Sequence, residues 1–182
     1  MSFAQKHFEG VVYTFGHLAP FSLLASLNAA GTVTVPLHGS YSSHCFTEAF
    51  DDAKHLDHHR YTHAGELRAF DVTRFQCSLQ LPAVMAALLK GKIYRAKNNN
   101  YTYVAHIAVA EQHEPYSVFF DLKRDGTPEA PALRMFVQSA YLTPLVVGTN
   151  SQSWRFGSLA GQITGLFAPK QKKPKPQKKK AP

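Results

Sequence analysis

Hydrophobic and polar positions alternate most clearly in the second half of the chain. Tyr101, Tyr103, Ala105, Ile107 and Val109 share one face of a predicted strand, with Val104 and His106 on the other, because successive strand side chains point to opposite sides. Ile93–Lys97 predicts the strand before it. The intervening Asn98–Asn100 run predicts a turn, since asparagine tolerates the left-handed backbone that tight hairpins need. Tyr116–Leu122 and Leu133–Tyr141 predict two further strands, separated by the turn-rich segment DGTPEAPA. Ahead of them, Pro82–Lys90 reads as a short helix with proline in its first turn and Gly91 just beyond its end. A helix followed by about four sequential antiparallel strands is an α+β arrangement: an antiparallel sheet with one main preceding helix.

The first half is less periodic. Val11–Phe15 and Thr32–Leu37 predict short strands. Ser40–Arg60, dense in Ser, His and Asp, predicts a loop with one helical turn at Thr47–Ala53, capped by Thr47. No internal repeat is visible.

Composition places this pattern in a globular setting. The chain has 182 residues, 45% hydrophobic and 12% aromatic, enough for one domain with its own core. No apolar run reaches the roughly 20 residues of a bilayer-spanning helix, and the first residues lack the apolar stretch of a signal peptide. Cys45 and Cys77 do not make a disulfide framework, so a cytoplasmic, reducing location is expected.

Charge changes the picture once it is located. The formal net charge is +8, but Lys170, Lys172, Lys173, Lys175, Lys178, Lys179 and Lys180 supply seven positive charges with no acid among them. Removing those seven from +8 leaves residues 1–169 near +1, so the body is not basic. The expected organisation is a single α+β domain over 1–150, an arm over 151–169, and a disordered Lys-rich tail over 170–182 that can attract DNA without sequence preference.

Candidate chemistry falls in three places. His55, His58, His59 and His63 cluster, with His38 and His44 upstream. His59 and His63, with Asp57, could hold a metal if they shared a helical face. The segment LDHHRYTHAGE lacks a clear helical period, so a solvated loop, with no metal and no cofactor, is expected. The second place is an acid–base set: His44 beside Ser42, Ser43 and Cys45, together with Arg74, Ser139 and Tyr141. A histidine could take the proton of a ribose hydroxyl and an arginine could stabilise the phosphorane charge. Helix-then-sheet order over residues 82–141 resembles the RelE and barnase-type ribonucleases, which implies a ribonuclease-type toxin with His44 and Arg74 as catalytic candidates.

The third is Gln162-Ile163-Thr164-Gly165-Leu166-Phe167, which resembles the short peptide by which bacterial replication proteins dock on the DNA polymerase III sliding clamp. Gln162, Leu166 and Phe167 occupy the glutamine and Leu-Phe places of that pattern, with Ile163 at the second position. Leu159, Ile163, Leu166 and Phe167 also fit an amphipathic helix. However, Gly157, Gly161 and Gly165 each cost a helix about 1 kcal/mol, so an accessible arm is expected. The clamp-like peptide on a small body resembles the SocB-type bacterial toxins. That resemblance implies a non-enzymatic toxin of a toxin–antitoxin system. It would block replication elongation by competing with polymerase for the clamp groove, and an antitoxin or proteolytic adaptor would restrain it.

Overall fold

The structure, a computed structural model, describes residues 2–96, 100–107, 115–143 and 152–168. Its frame is the antiparallel hairpin of Tyr116–Gly126 and Pro131–Leu142. Tyr116, Val118, Phe120 and Leu122 alternate inward on the first strand, and Leu133, Met135 and Val137 on the second; all seven are buried. In chain order the strands are β1 (Lys6–Phe8), β2 (Val11–Tyr13), β3 (Phe21–Ser26), β4 (Thr34–Tyr41), β5 (Thr47–Ala49), β6 (Arg60–His63) and β7 (Glu66–Phe70), followed by β8 (Lys92–Arg95), β9 (Tyr101–Ala105), β10 (Tyr116–Gly126), β11 (Pro131–Leu142) and β12 (Ser153–Arg155). The helices are α1 (Val72–Ser78), α2 (Leu81–Leu88) and α3 (Phe156–Thr164).

The main sheet has seven strands in the order β12-β8-β9-β10-β11-β4-β3. Its pairings are antiparallel except β4 with β11, which run parallel. A parallel neighbour needs a long crossover, and here the crossover carries the small sheet β5-β7-β6 and helices α1 and α2. The chain is therefore an α+β protein. Helix α1 packs on β11, and α3 packs on β10 and β11. Phe8, Phe15, Phe46 and Phe70 link the small sheet and the β1–β2 hairpin to the same core.

Several expectations change. The helix at Pro82 and the strands beginning near residues 93, 101, 116 and 133 are present. Lys97 of the first of these strands, Asn98 and Asn99 of the turn, and residues 108–109 of the Tyr101–Val109 strand lie outside the described residues. Thr47–Ala53 does not open as a helical turn: Thr47–Ala49 is strand β5, paired with β7. The Thr47 hydroxyl donates to the Ser43 carbonyl at 2.8 Å and so closes the preceding turn rather than capping a following one. Helix α1 was not expected; Asp71 caps it by accepting from the Arg74 amide at 2.7 Å.

The largest correction concerns 151–169. Its described part is not an extended arm but β12 and α3, with Phe156, Leu159, Ala160 and Thr164 buried. The folded unit thus passes the expected boundary at 150 and reaches Phe167, whose amide donates to the Gly161 carbonyl at 3.0 Å. The three glycines that argue against a helix each have a use. A Cβ at Gly157 would lie 2.6 Å from the Ser26 carbonyl oxygen, so its absence lets α3 approach the β3 end. A Cβ at Gly161 would strike the Phe167 ring, and Gly165 ends the helix at φ 80°, where glycine is at ease.

Candidate active site

Five separate stretches of chain converge on one cavity of about 660 Å3. The N-terminal segments supply Phe3, Leu18 and Pro20; the end of β4 and the turn after it supply Ser40, Tyr41, Ser42, Ser43 and His44. The β6–β7 hairpin adds His63, Ala64 and Glu66, and β11 adds Phe136, Gln138 and Ser139. The volume lies in the range of small-ligand sites.

Local rules explain how each side chain arrives there. Ser42 caps the short 3-10 turn Ser43–Cys45 by accepting from the His44 amide at 3.2 Å, which fixes the His44 backbone. Ala64 and Gly65, at φ 50° and 82°, form the two-residue loop of a tight hairpin. That loop sets His63 directly opposite Glu66. On β11 the pairing with β10 slips between Phe119 and Phe120: Phe119 faces Ser139 and Phe120 faces Val137, leaving Gln138 as an extra residue. The bulge turns both Gln138 and Ser139 off the inner face, and bulges commonly re-aim side chains in this way.

The polar centre of the site is the pair His44–Glu66. His44 Nε2 lies 3.0 and 3.1 Å from the two Glu66 carboxylate oxygens. Arg68 donates from Nη1 to Glu66 Oε1 at 3.0 Å and from Nε to Thr47 Oγ1 at 2.8 Å. The hydrogen bond from His44, with help from Arg68 and against a smaller desolvation cost, holds the Glu66 carboxyl below the ordinary carboxylate range. Glu66 is therefore a carboxylate at neutral pH and accepts the hydrogen on His44 Nε2. That leaves Nδ1 as the ring nitrogen with the free lone pair. The hydroxyls of Ser40 and Ser139 have no hydrogen-bond partner among the described residues, so both are free to donate to a ligand in the cavity.

The remaining expected acid–base residues lie elsewhere. Arg74 does not line the cavity: its Nη1 donates to the Thr47 carbonyl at 2.8 Å and its guanidinium lies 4.7 Å over the Tyr141 ring. Tyr141 is stacked on its other side by Phe119 at 5.4 Å. The pairing of His44 with Arg74 is thus corrected to His44 with Glu66, since Arg74 is consumed in fastening β5 and β11. Cys45 is fully buried, and burial pushes its thiol up to about 12, so it is no thiolate nucleophile. Glu66 escapes sequence reasoning, although the alternating segments around Ala64-Gly65 carry the hairpin signal that places residue 66 opposite His63.

The other histidines are held by local contacts. His55 Nε2 lies 2.8 Å from Glu48 Oε1, and its Nδ1 accepts from the Asp51 amide at 2.9 Å. His59 Nδ1 accepts from the Leu56 amide at 3.1 Å, and the His58 and His59 rings pack on Phe8. His59 ends a 3-10 turn while His63 lies on β6, so the two share no helical face. Among the described residues no group of three His, Cys, Asp or Glu side chains converges as a metal site would.

At the clamp-like segment, Gln162 and Ile163 lie in the last turn of α3 and are half-buried. Leu166 is 45% exposed, while Phe167 packs against the core in the space left by Gly161. Lys170, Lys172, Lys173, Lys175, Lys178, Lys179 and Lys180 lie outside the described residues. Among the described residues no helix is long and apolar enough to cross a membrane.

Fold and site together define a small α+β protein built round a curled, mainly antiparallel sheet, with a carboxylate–histidine pair at the mouth of a hydroxyl-lined cavity. The chain belongs to the YjaZ family, whose model matches residues 5–164. No curated protein and no solved structure matches the chain. The matched region takes in the whole cavity except Phe3 and stops before Leu166 and Phe167.

Proposed function

We propose that the chain cleaves RNA phosphodiester bonds by acid–base catalysis in the His44–Glu66 cavity. The observation that carries this reading is the carboxylate–imidazole pair at 3.0 Å on the rim of a cavity that also holds a second histidine and the unpartnered hydroxyls of Ser40 and Ser139. Among the described residues the cavity shows no activated protein nucleophile: Cys45 is buried with a raised pKa, and no serine hydroxyl there is hydrogen-bonded to a histidine ring. The arrangement therefore suits a substrate that brings its own nucleophile, as a ribose 2′-hydroxyl does.

His44 Nδ1 takes the 2′-hydroxyl proton while Glu66 holds the ring and stabilises the imidazolium that forms. The 2′-oxygen forms its bond to phosphorus as the bond to the 5′-oxygen breaks. A protonated His63 gives its proton to that leaving oxygen. The products are a 2′,3′-cyclic phosphate and a free 5′-hydroxyl. Ser40 and Ser139 donate to the non-bridging oxygens, where charge develops.

A single-stranded RNA carrying a fluorophore and a quencher at its ends tests the reading. His44→Ala should lower the cleavage rate by about 100-fold or more, with the melting temperature unchanged. DNA of the same sequence should resist cleavage. Equal rates for wild type and H44A, or equal cleavage of DNA, would overturn it.

The 45% exposure of Leu166 favours a second reading, the sliding-clamp toxin. It asks more of the molecule. Gln162 and Ile163 would have to leave α3, and Phe167 would have to leave the core, before the segment could lie extended in a groove. An antitoxin and DNA contact through the lysines belong to that reading. Capture of the chain on immobilised clamp, lost on Leu166→Ala, would favour it; failure of the intact chain to bind the clamp removes it.

A further inference from the structure

The outer face of the main sheet carries an organised surface beside the cavity. Phe136, on β11, is 43% exposed although it sits mid-strand. Its cross-strand neighbours are Asp121 on β10 and Ser40 on β4. One step along, about 7 Å away for two residues of strand, Arg134 lies opposite Lys123 on β10 and opposite His38 on β4. All three of these side chains are exposed. One step the other way, the bulge delivers Gln138 and Ser139 to the cavity. The face therefore reads, strand-wise, as a basic row, an aromatic row and the acid–base site.

Each row carries a charge or exposure cost that a ligand would relieve. Like charges directly opposite on a sheet repel, and Arg134 faces Lys123 on one side with His38 on the other. Asp121 answers one of them, its Oδ2 lying 2.6 Å from Lys123 Nζ. His38 Nδ1 lies 2.9 Å from Ser22 Oγ. Arg134 has no partner among the described residues. An anion over this row would offset the repulsion, and a flat ring over Phe136 would cover exposed aromatic surface. A phosphate and a base joined at about that spacing supply both.

We propose that this face binds single-stranded RNA, with the base next to the scissile phosphate stacked on Phe136 and the following phosphate held by Arg134, Lys123 and His38. The inference rests on the reading of the cavity as the cleavage site and names its substrate as single-stranded. A duplex hides its bases from such a platform, whereas unpaired bases can splay onto it.

Binding separates this inference from cleavage. The probe is a fluorescein-labelled single-stranded RNA of mixed sequence, followed by anisotropy. The protein is the full-length chain carrying His44→Ala, so the probe stays intact, and with all seven tail lysines changed to glutamine, so the tail cannot mask the sheet. Phe136→Ala should weaken binding about ten-fold, and Phe136→Trp should restore it. Arg134→Gln should weaken binding for every sequence and reduce the salt slope by about one. Fully paired duplex RNA should bind far more weakly. Binding that depends on Phe136 without any cleavage by the wild type would sustain this inference and sink the proposed activity. Binding indifferent to F136A and R134Q, duplex bound as tightly as single strand, or no binding at all, would overturn the inference.

Discussion

The cavity at His44 and the α3 segment are built on opposite principles. The cavity draws polar side chains from separate stretches of chain and holds its centre by hydrogen bonds that run from the part-exposed His44, Glu66 and Arg68 to the buried Thr47. The α3 segment is a single stretch held by apolar burial, with Phe156, Leu159 and Ala160 within a few per cent of full burial. On the proposed reading, removing a group from the first should delete chemistry at little cost to folding. Removing one from the second leaves a void in the core.

The largest expected effect tests that contrast directly. Phe156→Ala should destabilise the protein by about 3–5 kcal/mol in denaturant titration, because the ring is fully buried and the site cannot collapse fully around alanine. H44A should lower stability in the same titration by no more than about 1 kcal/mol while removing activity. If H44A unfolds the protein as F156A does, the cavity is part of the structural core and the contrast fails.

Gly157→Ala should come next. The added methyl would meet the Ser26 and Leu27 carbonyl oxygens at 2.6 and 2.9 Å, and these are backbone atoms that can only move with β3. A loss of about 1–3 kcal/mol is expected. A neutral or stabilising G157A, as helix propensity alone predicts, would show that α3 rides loosely on the sheet. Within the clamp-like segment the two anchors should then part company. Phe167→Ala should cost about 1–2 kcal/mol, since its ring fills the space over Gly161. Leu166→Ala should cost under about 0.5 kcal/mol at 45% exposure. Equal, negligible effects for both would return the segment to the extended arm that its glycines suggest.

Legibility follows the same division. The hairpin β10–β11 and helix α2 are plain in the sequence because each is a local pattern, a period of two or a proline-started apolar run. Helix α3 is obscured because Gly157, Gly161 and Gly165 are costly by propensity and useful only through contacts with Ser26, Leu27 and Phe167, which no local pattern contains. His44 stands out as a histidine among serines. Glu66 does not, because its meaning depends on a 22-residue separation closed by the fold. Arg74 misleads for a related reason: the cation expected to act with His44 is, in space, bonded to the Thr47 carbonyl.

The smallest expected effects are in the pH dependence of stability, and they separate the cavity rim from the contact of His17 with α1 by window. Glu66 in the cavity has a depressed pKa, the hydrogen bond from His44 being the chief cause. Its contribution is complete above the unfolded value near 4.3 and fades as pH falls through the lower folded value. His17, packed against α1 with Nε2 2.8 Å from Ser78 Oγ, is shifted down by burial. Its charged form is the one the fold disfavours, so the unfolded chain binds the proton more readily. Stability from neutral His17 is whole above about 6.5 and declines as pH drops below that. Acidification thus weakens the protein twice, first at the contact of His17 with α1 and later at the cavity rim. Denaturation midpoints from pH 8 to pH 3 should show the earlier decline flattened in His17→Gln and only the later one flattened in Glu66→Gln. Both declines are expected to be small, since each group keeps contact with solvent. If H17Q instead leaves the earlier decline unchanged, the proton taken up there belongs to another group and the window assigned to His17 is wrong.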